Sequence, residues 1–222
     1  MITGFYSCAA GMLGQIDKQD AIANNLANCN SPGFKRSTVG LFAFATELAS
    51  ATSRNAGCTI PETFASRDQR QGQLEETGGP TDLAIDGPGS FVVRTPRGEQ
   101  LTRAGNFRLD ALGELVTPQG AKVLGERGPI QISSNKWSVD EDGNVTVDGS
   151  VVDKLRIELG SGSGRGNAPG RVVQGRLESS NVSAVQEMVA MITAMRAYEA
   201  NQRAIQALDQ TLDKIINQAA RS

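Results

Sequence analysis

The sequence predicts an α+β protein, with N- and C-terminal helices pairing as a coiled-coil-like bundle and a β-rich middle domain. Three observations carry this. Apolar residues recur at steps of three and four at the start of the chain, and again over a longer stretch at its end. Between them Gly and Pro become frequent and short alternating runs appear. The expected division is residues 1–35 as an N-terminal assembly helix and turn, 36–175 as a β-rich middle domain with connectors, and 176–222 as a C-terminal assembly helix.

The first helix is expected over residues 2–28, because Phe5, Ala9, Met12, Ile16, Ala23 and Leu26 fall on one face. At 1.5 Å per residue it extends roughly 40 Å. Pro32 biases Ser31 away from helical backbone and Gly33 tolerates positive φ, so the stop is firm. In the middle, alternation predicts strands at residues 90–95, 120–124, 144–148 and 155–159. A weak echo also appears at an offset of thirty residues. Phe107-Arg-Leu-Asp-Ala-Leu-Gly-Glu-Leu-Val116 resembles Trp137-Ser-Val-Asp-Glu-Asp-Gly-Asn-Val-Thr146. Both read as strand, Asp-x-x-Gly turn, strand, from duplication or from shared turn chemistry alone. Gly160-Ser-Gly-Ser-Gly-Arg-Gly166 reads as a flexible connector. Ser183 and Gln186 form a capping box opening the last helix. Its stripe is Val185, Met188, Ile192, Met195, Tyr198, Ile205, Leu208, Leu212 and Ile215, with most spacings summing to seven. No Gly or Pro interrupts residues 183–222, so a helix of roughly 55 Å follows.

Composition excludes much of the usual chemistry. The 222 residues contain no His, which removes Ser-His-Asp, Cys-His and His-ligated metal sites. Net charge is -2 with no long run of one sign, against a nucleic-acid surface. No apolar stretch approaches the roughly 20 residues that cross a bilayer, and no signal peptide is recognised. Cys8, Cys29 and Cys58 lack a CxxC pair and read as buried or free thiols. The glycine run lacks the Gly-Lys-Ser/Thr ending of a phosphate loop. Around Asp140, Gly143 falls too early for a calcium-binding EF-hand loop, so the acidic residues read as a hairpin turn. No catalytic residue, cofactor, metal or small-molecule substrate is expected, and the chain is not read as an enzyme.

The helical stripes carry the functional weight. They pack either on the β domain or on each other and on other copies. Nine large apolar side chains on the last helix represent roughly 15–25 kcal/mol of burial. A glycine-rich middle region cannot cover two such helices, and an uncovered stripe is untenable for a monomer. The second reading is therefore favoured.

Three motifs then resemble the flagellar basal-body rod and hook protein family. The first is Gly11-Met-Leu13 with Ile22-Ala-Asn-Asn-Leu-Ala-Asn28 and Ser31-Pro-Gly-Phe-Lys35. The second is Asp82-Leu-Ala-Ile-Asp-Gly-Pro-Gly-Ser-Phe91 with Leu101-Thr-Arg-Ala-Gly-Asn-Phe-Arg-Leu-Asp110, Gly113 and Leu115-Val-Thr117. The third is Gln174-Gly-Arg-Leu-Glu-Ser-Ser-Asn-Val182, Glu187-Met-Val189 and Arg196-Ala-Tyr-Glu199. They lie in the family's order and span nearly the whole chain. Cys29 stands where the family usually has Val, and Ser90 where it usually has an aromatic residue. The length and Val123-Leu-Gly-Glu-Arg-Gly-Pro-Ile130 resemble the proximal rod branch most, with the distal rod branch next.

The resemblance implies a structural subunit of the bacterial flagellar rod, polymerising through its terminal helices into the drive shaft that transmits torque. It implies a rod crossing the periplasm, with copies of the chain and other rod and hook-family proteins as partners. Passage through the flagellar type III export apparatus, without a cleaved signal, is also implied. A monomeric secreted binding module is the alternative of another class. On the assembly reading, the interface comprises Phe5, Met12, Ile16, Asn24, Asn25, Leu26, Asn28, Pro32, Gly33 and Phe34. On the last helix it comprises Met188, Ile192, Met195, Tyr198, Ile205, Leu208, Leu212 and Ile215. Asn24 and Asn28 are four apart and share a helical face, where uncharged amides can bond a neighbour. Asn28 and Asn30 as mere caps is the other reading.

Overall fold

A computed structural model describes residues 2–42, 62–134, 136–159 and 170–219. Side chains are described for these except at residues 2–8, 41–42, 62–65, 208, 212, 213, 215, 216, 218 and 219. The connector at residues 160–166 and Cys58 lie outside the described residues.

Contacts divide the chain into two units, one formed by Met1–Ala27, Arg36–Asp68 and Val182–Ser222, the other by Asn28–Lys35 and Gln69–Asn181.

In the first unit, helix α1 spans Ile2–Ala27 and helix α2 spans Ala184–Ala219, 26 and 36 residues long. Ser183 directly precedes α2, and its carbonyl accepts the first-turn bond from Glu187 N–H at 3.0 Å. The helices pack against each other and run antiparallel. Asn25 bonds Glu187 near one end, and a Cβ added to Gly11 would lie 3.3 Å from the Asn201 side chain further along. Among the described side chains, Ile22 and Ala194 are the buried hydrophobic ones of this pair. Strands β1 (Ser37–Phe42) and β2 (Glu62–Arg67) form an antiparallel ribbon, Ser37 opposite Arg67 and Phe42 opposite Glu62. The sequence reading placed this ribbon in the middle domain; by contacts it groups with the helices.

The second unit is built of short strands. These are β3 (Leu74–Glu76), β4 (Leu83–Asp86), β5 (Ser90–Thr95), β6 (Gly98–Thr102), β7 (Arg108–Leu109), β8 (Leu115–Val116) and β9 (Lys122–Val123). They continue as β10 (Trp137–Val139), β11 (Asn144–Val147), β12 (Ser150–Lys154), β13 (Ile157–Glu158), β14 (Arg171–Gln174) and β15 (Arg176–Glu178). A six-stranded sheet runs β13-β5-β9-β8-β7, with β6 paired to β5. A three-stranded meander β10-β11-β12 and the pairs β14-β4 and β15-β3 complete it. Among the described residues every pairing is antiparallel; short hairpin connections require it for β5-β6, β7-β8, β8-β9, β10-β11 and β11-β12. The core gathers the inward residues of these sheets, among them Leu83, Phe91, Val123, Val145 and Val172, all 1% exposed or less. Phe91 and Phe107 meet edge to face, with centroids 5.2 Å apart.

The echoed hairpins β7-β8 and β10-β11 share one turn chemistry. Asp110 Oδ1 accepts from Leu112 N–H and Glu114 N–H; Asp140 Oδ1 accepts from Asp142 N–H and Asn144 N–H. Gly113 and Gly143 close the turns at φ 75° and 81°, backbone that a side chain at those positions resists.

Candidate assembly surface

The site is built first in the first unit, at the meeting of α1, β1 and the start of α2. Glu187 faces inward and is 1% exposed. Its Oε1 accepts from Arg36 Nε at 2.6 Å, and its Oε2 from Asn25 Nδ2 at 3.1 Å. Asn25 is also 1% exposed. It donates to the Ser37 carbonyl and accepts from Ser37 N–H, both at 2.8 Å, as a neighbouring strand would. A buried carboxylate is tolerated only with such bonds.

The other face of α2 carries large apolar side chains that the chain leaves uncovered. Val185 is 72% exposed, Val189 59%, Met188 53%, and Ile192 and Met195 52% each. Their steps of three and four place them on one helical stripe. On α1, Leu13 and Ile16 are exposed at 64% and 40%. The inner face of α2 is instead Glu187, Ala190, Met191, Ala194, Ala197, Tyr198, Asn201 and Ile205, all buried or half-buried.

The expected interface residues are therefore distributed unevenly. Ile16, Asn24, Met188, Ile192 and Met195 are exposed, whereas Met12, Leu26, Tyr198 and Ile205 are half-buried in the first unit. Asn25 is turned into its own chain, its amide engaged by Ser37 and Glu187. The side chains of Phe5, Leu208, Leu212 and Ile215 lie outside the described ones, as does that of Cys8. Asn28, Pro32, Gly33 and Phe34 are half-buried in the second unit. There Ser31 closes a turn on Asn28, its N–H bonding the Asn28 carbonyl at 3.0 Å and its Oγ the Asn28 Oδ1 at 3.2 Å. Cys29 is a free, half-buried thiol.

That second unit holds another buried carboxylate, Glu178, at 1% exposure. Lys35 Nζ approaches its Oε1 to 2.5 Å and Arg103 NH1 its Oε2 to 3.0 Å. Gly72 N–H donates to Oε1 as well, and Gly33 N–H donates to the Glu178 carbonyl at 2.7 Å. Lys35, Arg103 and Glu178 come from the first, second and third sequence motifs, which thus converge on one carboxylate. The sequence reading did not single out Glu178, Glu187 or Arg103. The available signal was a Glu at position 187 heading a seven-residue series with Ala194 and Asn201, where an apolar seam would not carry charge.

Comparison with known proteins agrees with this organisation. Residues 9–35 match the family of flagella basal body rod proteins. Residues 84–147 match the flagellar hook protein FlgE/F/G D1 domain, and residues 173–218 the flagellar basal body rod FlgEFG protein C-terminal region. The chain is 34% identical to the flagellar basal-body rod protein FlgG of Borreliella burgdorferi, over 96% of this chain and 97% of that one. To FlgG of Bacillus subtilis it is 32% identical, over 98% and 99%. To the rod protein FlgF of Caulobacter vibrioides it is 34% identical, over 81% and 82%. These likenesses define a class of structural proteins of the flagellar basal body, not enzymes. The chain belongs to the flagellar basal-body rod protein family.

Proposed function

We propose that this rod protein polymerises with copies of itself and its rod and hook-family relatives through α1 and α2, forming part of the shaft that transmits torque. The observation that carries this is the uncovered stripe Val185, Met188, Val189, Ile192 and Met195. Burying each such side chain against a neighbour contributes about 1.5–3 kcal/mol. Between copies the helices then form a coiled-coil-like seam, with Leu13 and Ile16 on the α1 side. Export through the flagellar type III apparatus is the route that goes with this role. The test is the double change Met188→Asp and Ile192→Asp, two exposed positions whose charges are harmless until a partner covers them. The chain should fold and be exported, while rods and motility are lost; normal motility would remove the stripe from the interface.

A proximal position in the rod is favoured by the length and by Val123-Leu-Gly-Glu-Arg-Gly-Pro-Ile130. A distal position is the second reading, supported by relatives named FlgG that align over nearly their full length. Density for a tagged chain in intact basal bodies decides between them: at the export-gate end for the first, near the hook for the second.

A further inference from the structure

We propose that Glu187 is the register key of the α1/α2 pair, the residue that fixes how far one helix is advanced along the other. The inference rests on the reading that these helices pair in the assembled rod.

Among the described, fully buried positions of the seam, Ile22 is the one large apolar side chain that could set an offset by packing. Among the described side chains the seam's buried positions are Gly14, Ile22 and Asn25 on α1 and Glu187 and Ala194 on α2, with Met12, Leu26, Met191, Tyr198 and Ile205 half-buried. Glu187, Ala194 and Asn201 lie seven apart, so all three occupy the same place in successive heptads. The contacts keep one offset throughout. Asn25 bonds Glu187, and fourteen residues back along α1 Gly11 meets Asn201, fourteen residues forward along α2. Where Gly14 and Ala194 line the seam, small side chains leave few specific holes, so packing there discriminates weakly against a seven-residue slip. A polar residue inside such a seam discriminates, since only one offset satisfies it. Glu187 meets that condition: Asn25 Nδ2 and Arg36 Nε both bond it, and Asn25 is itself held by both backbone groups of Ser37. In a slipped pair the carboxylate would be buried away from these donors.

The offset matters for what the surface presents. A slip of one heptad moves α2 by about 10 Å along α1. Met195, which stands beside Ile16 at the observed offset, would then be carried away from it, and a neighbouring copy would meet a different pattern.

The test reads offset rather than stability. In full-length chains whose three cysteines are replaced by Ser, Gly11→Cys is combined with Asn201→Cys (in register) or with Ala194→Cys (one heptad displaced). Intrachain crosslinking is then measured in basal bodies purified from cells. With Glu187 present, only the in-register pair should crosslink. Glu187→Leu should shift the ratio of the two crosslinks toward the displaced pair by about tenfold, whereas Glu187→Gln, which keeps an acceptor for Asn25, should remain in register. If the Glu187→Leu chain does not accumulate, Glu187→Met, unbranched and of similar length, removes the charge while Asn25 keeps both bonds to Ser37. That chain should accumulate and show the displaced crosslink. A leucine variant that crosslinks only in register overturns the proposal. Absence of both crosslinks with Glu187 present would instead overturn the pairing of the helices in the rod.

Discussion

Lys35 Nζ stands 2.5 Å from Glu178 Oε1, with the lysine side chain 9% and the glutamate 1% exposed. Yet the carboxylate does not depend on Lys35 alone, because Arg103 NH1 and Gly72 N–H also bond it. Removing the carboxylate is therefore the more damaging change. Glu178→Ala strands two cations in a partly dry site and should cost about 3–5 kcal/mol. Lys35→Ala leaves Glu178 two donors and should cost clearly less. The two changes should be strongly non-additive. Unfolding followed by the sole tryptophan, Trp137, supplies the cycle; additive losses would mean that the pair is not coupled.

Gly33 tests the turn that follows α1. It has φ 69°, and a Cβ there would lie 2.2 Å from the Arg103 carbonyl carbon. Gly78 has nearly the same φ, 67°, with nothing within 4 Å of the added carbon. Gly78→Ala should thus cost only the backbone strain, about 1–2 kcal/mol. Gly33→Ala should cost that plus the displacement of Arg103 from Glu178. Equal denaturation midpoints for the two variants would show that close approach to Arg103 is unimportant.

The β10-β11 turn supplies a pH test. The Asn144 side chain, and then its backbone N–H, hold the Asp140 carboxyl below its ordinary value of 3.8. A carboxyl lowered in the folded chain adds stability above its unfolded value and loses it as pH falls through the folded value. The turn should therefore open below about pH 4. In Asp140→Asn the same amide signals should show no acid transition in that window. Nuclear magnetic resonance of Asn144 N–H reads both; an unchanged transition in the variant would assign it to another group.

This turn also shows what the sequence could disclose. Asp-x-x-Gly chemistry is local, so the two hairpins were readable from a dozen residues each, and their likeness is shared hydrogen bonding down to the Oδ1 acceptors. The helices were readable for the same reason, since 3.6-residue periodicity needs no partner. What periodicity cannot give is which face of α2 meets α1. The apolar stripe was the natural choice, yet the chain packs α2 through Glu187, Ala194 and Asn201 and leaves Met188 and Ile192 exposed. The convergence of Lys35, Arg103 and Glu178 was invisible as well, because it joins segments separated by up to 143 residues. Burial of charge is decided by such tertiary partners, not by neighbours in sequence.

Asn25 gives the sharpest contrast among the asparagines at the end of α1. Asn24 beside it is exposed, and Asn24→Ala should raise intrinsic helix propensity slightly. Asn25→Ala removes three bonds: two with the backbone of Ser37 and one with Glu187. Each buried group left unbonded costs about 1–3 kcal/mol. Asn25→Asp is worse at neutral pH, for it sets a carboxylate where Nδ2 had donated to two acceptors, the Ser37 carbonyl and Glu187 Oε2. Burial beside Glu187 disfavours that charge, so the folded chain should hold the proton to higher pH than the unfolded one, whose Asp titrates near 3.9. The sign follows: stability of the Asp variant should fall as pH rises above about 4, while that of the Ala variant should not show this added loss. Thermal melting of the helical circular dichroism signal across this range separates the two. Parallel pH profiles for Asn25→Asp and Asn25→Ala would mean that residue 25 does not face the Glu187 carboxylate.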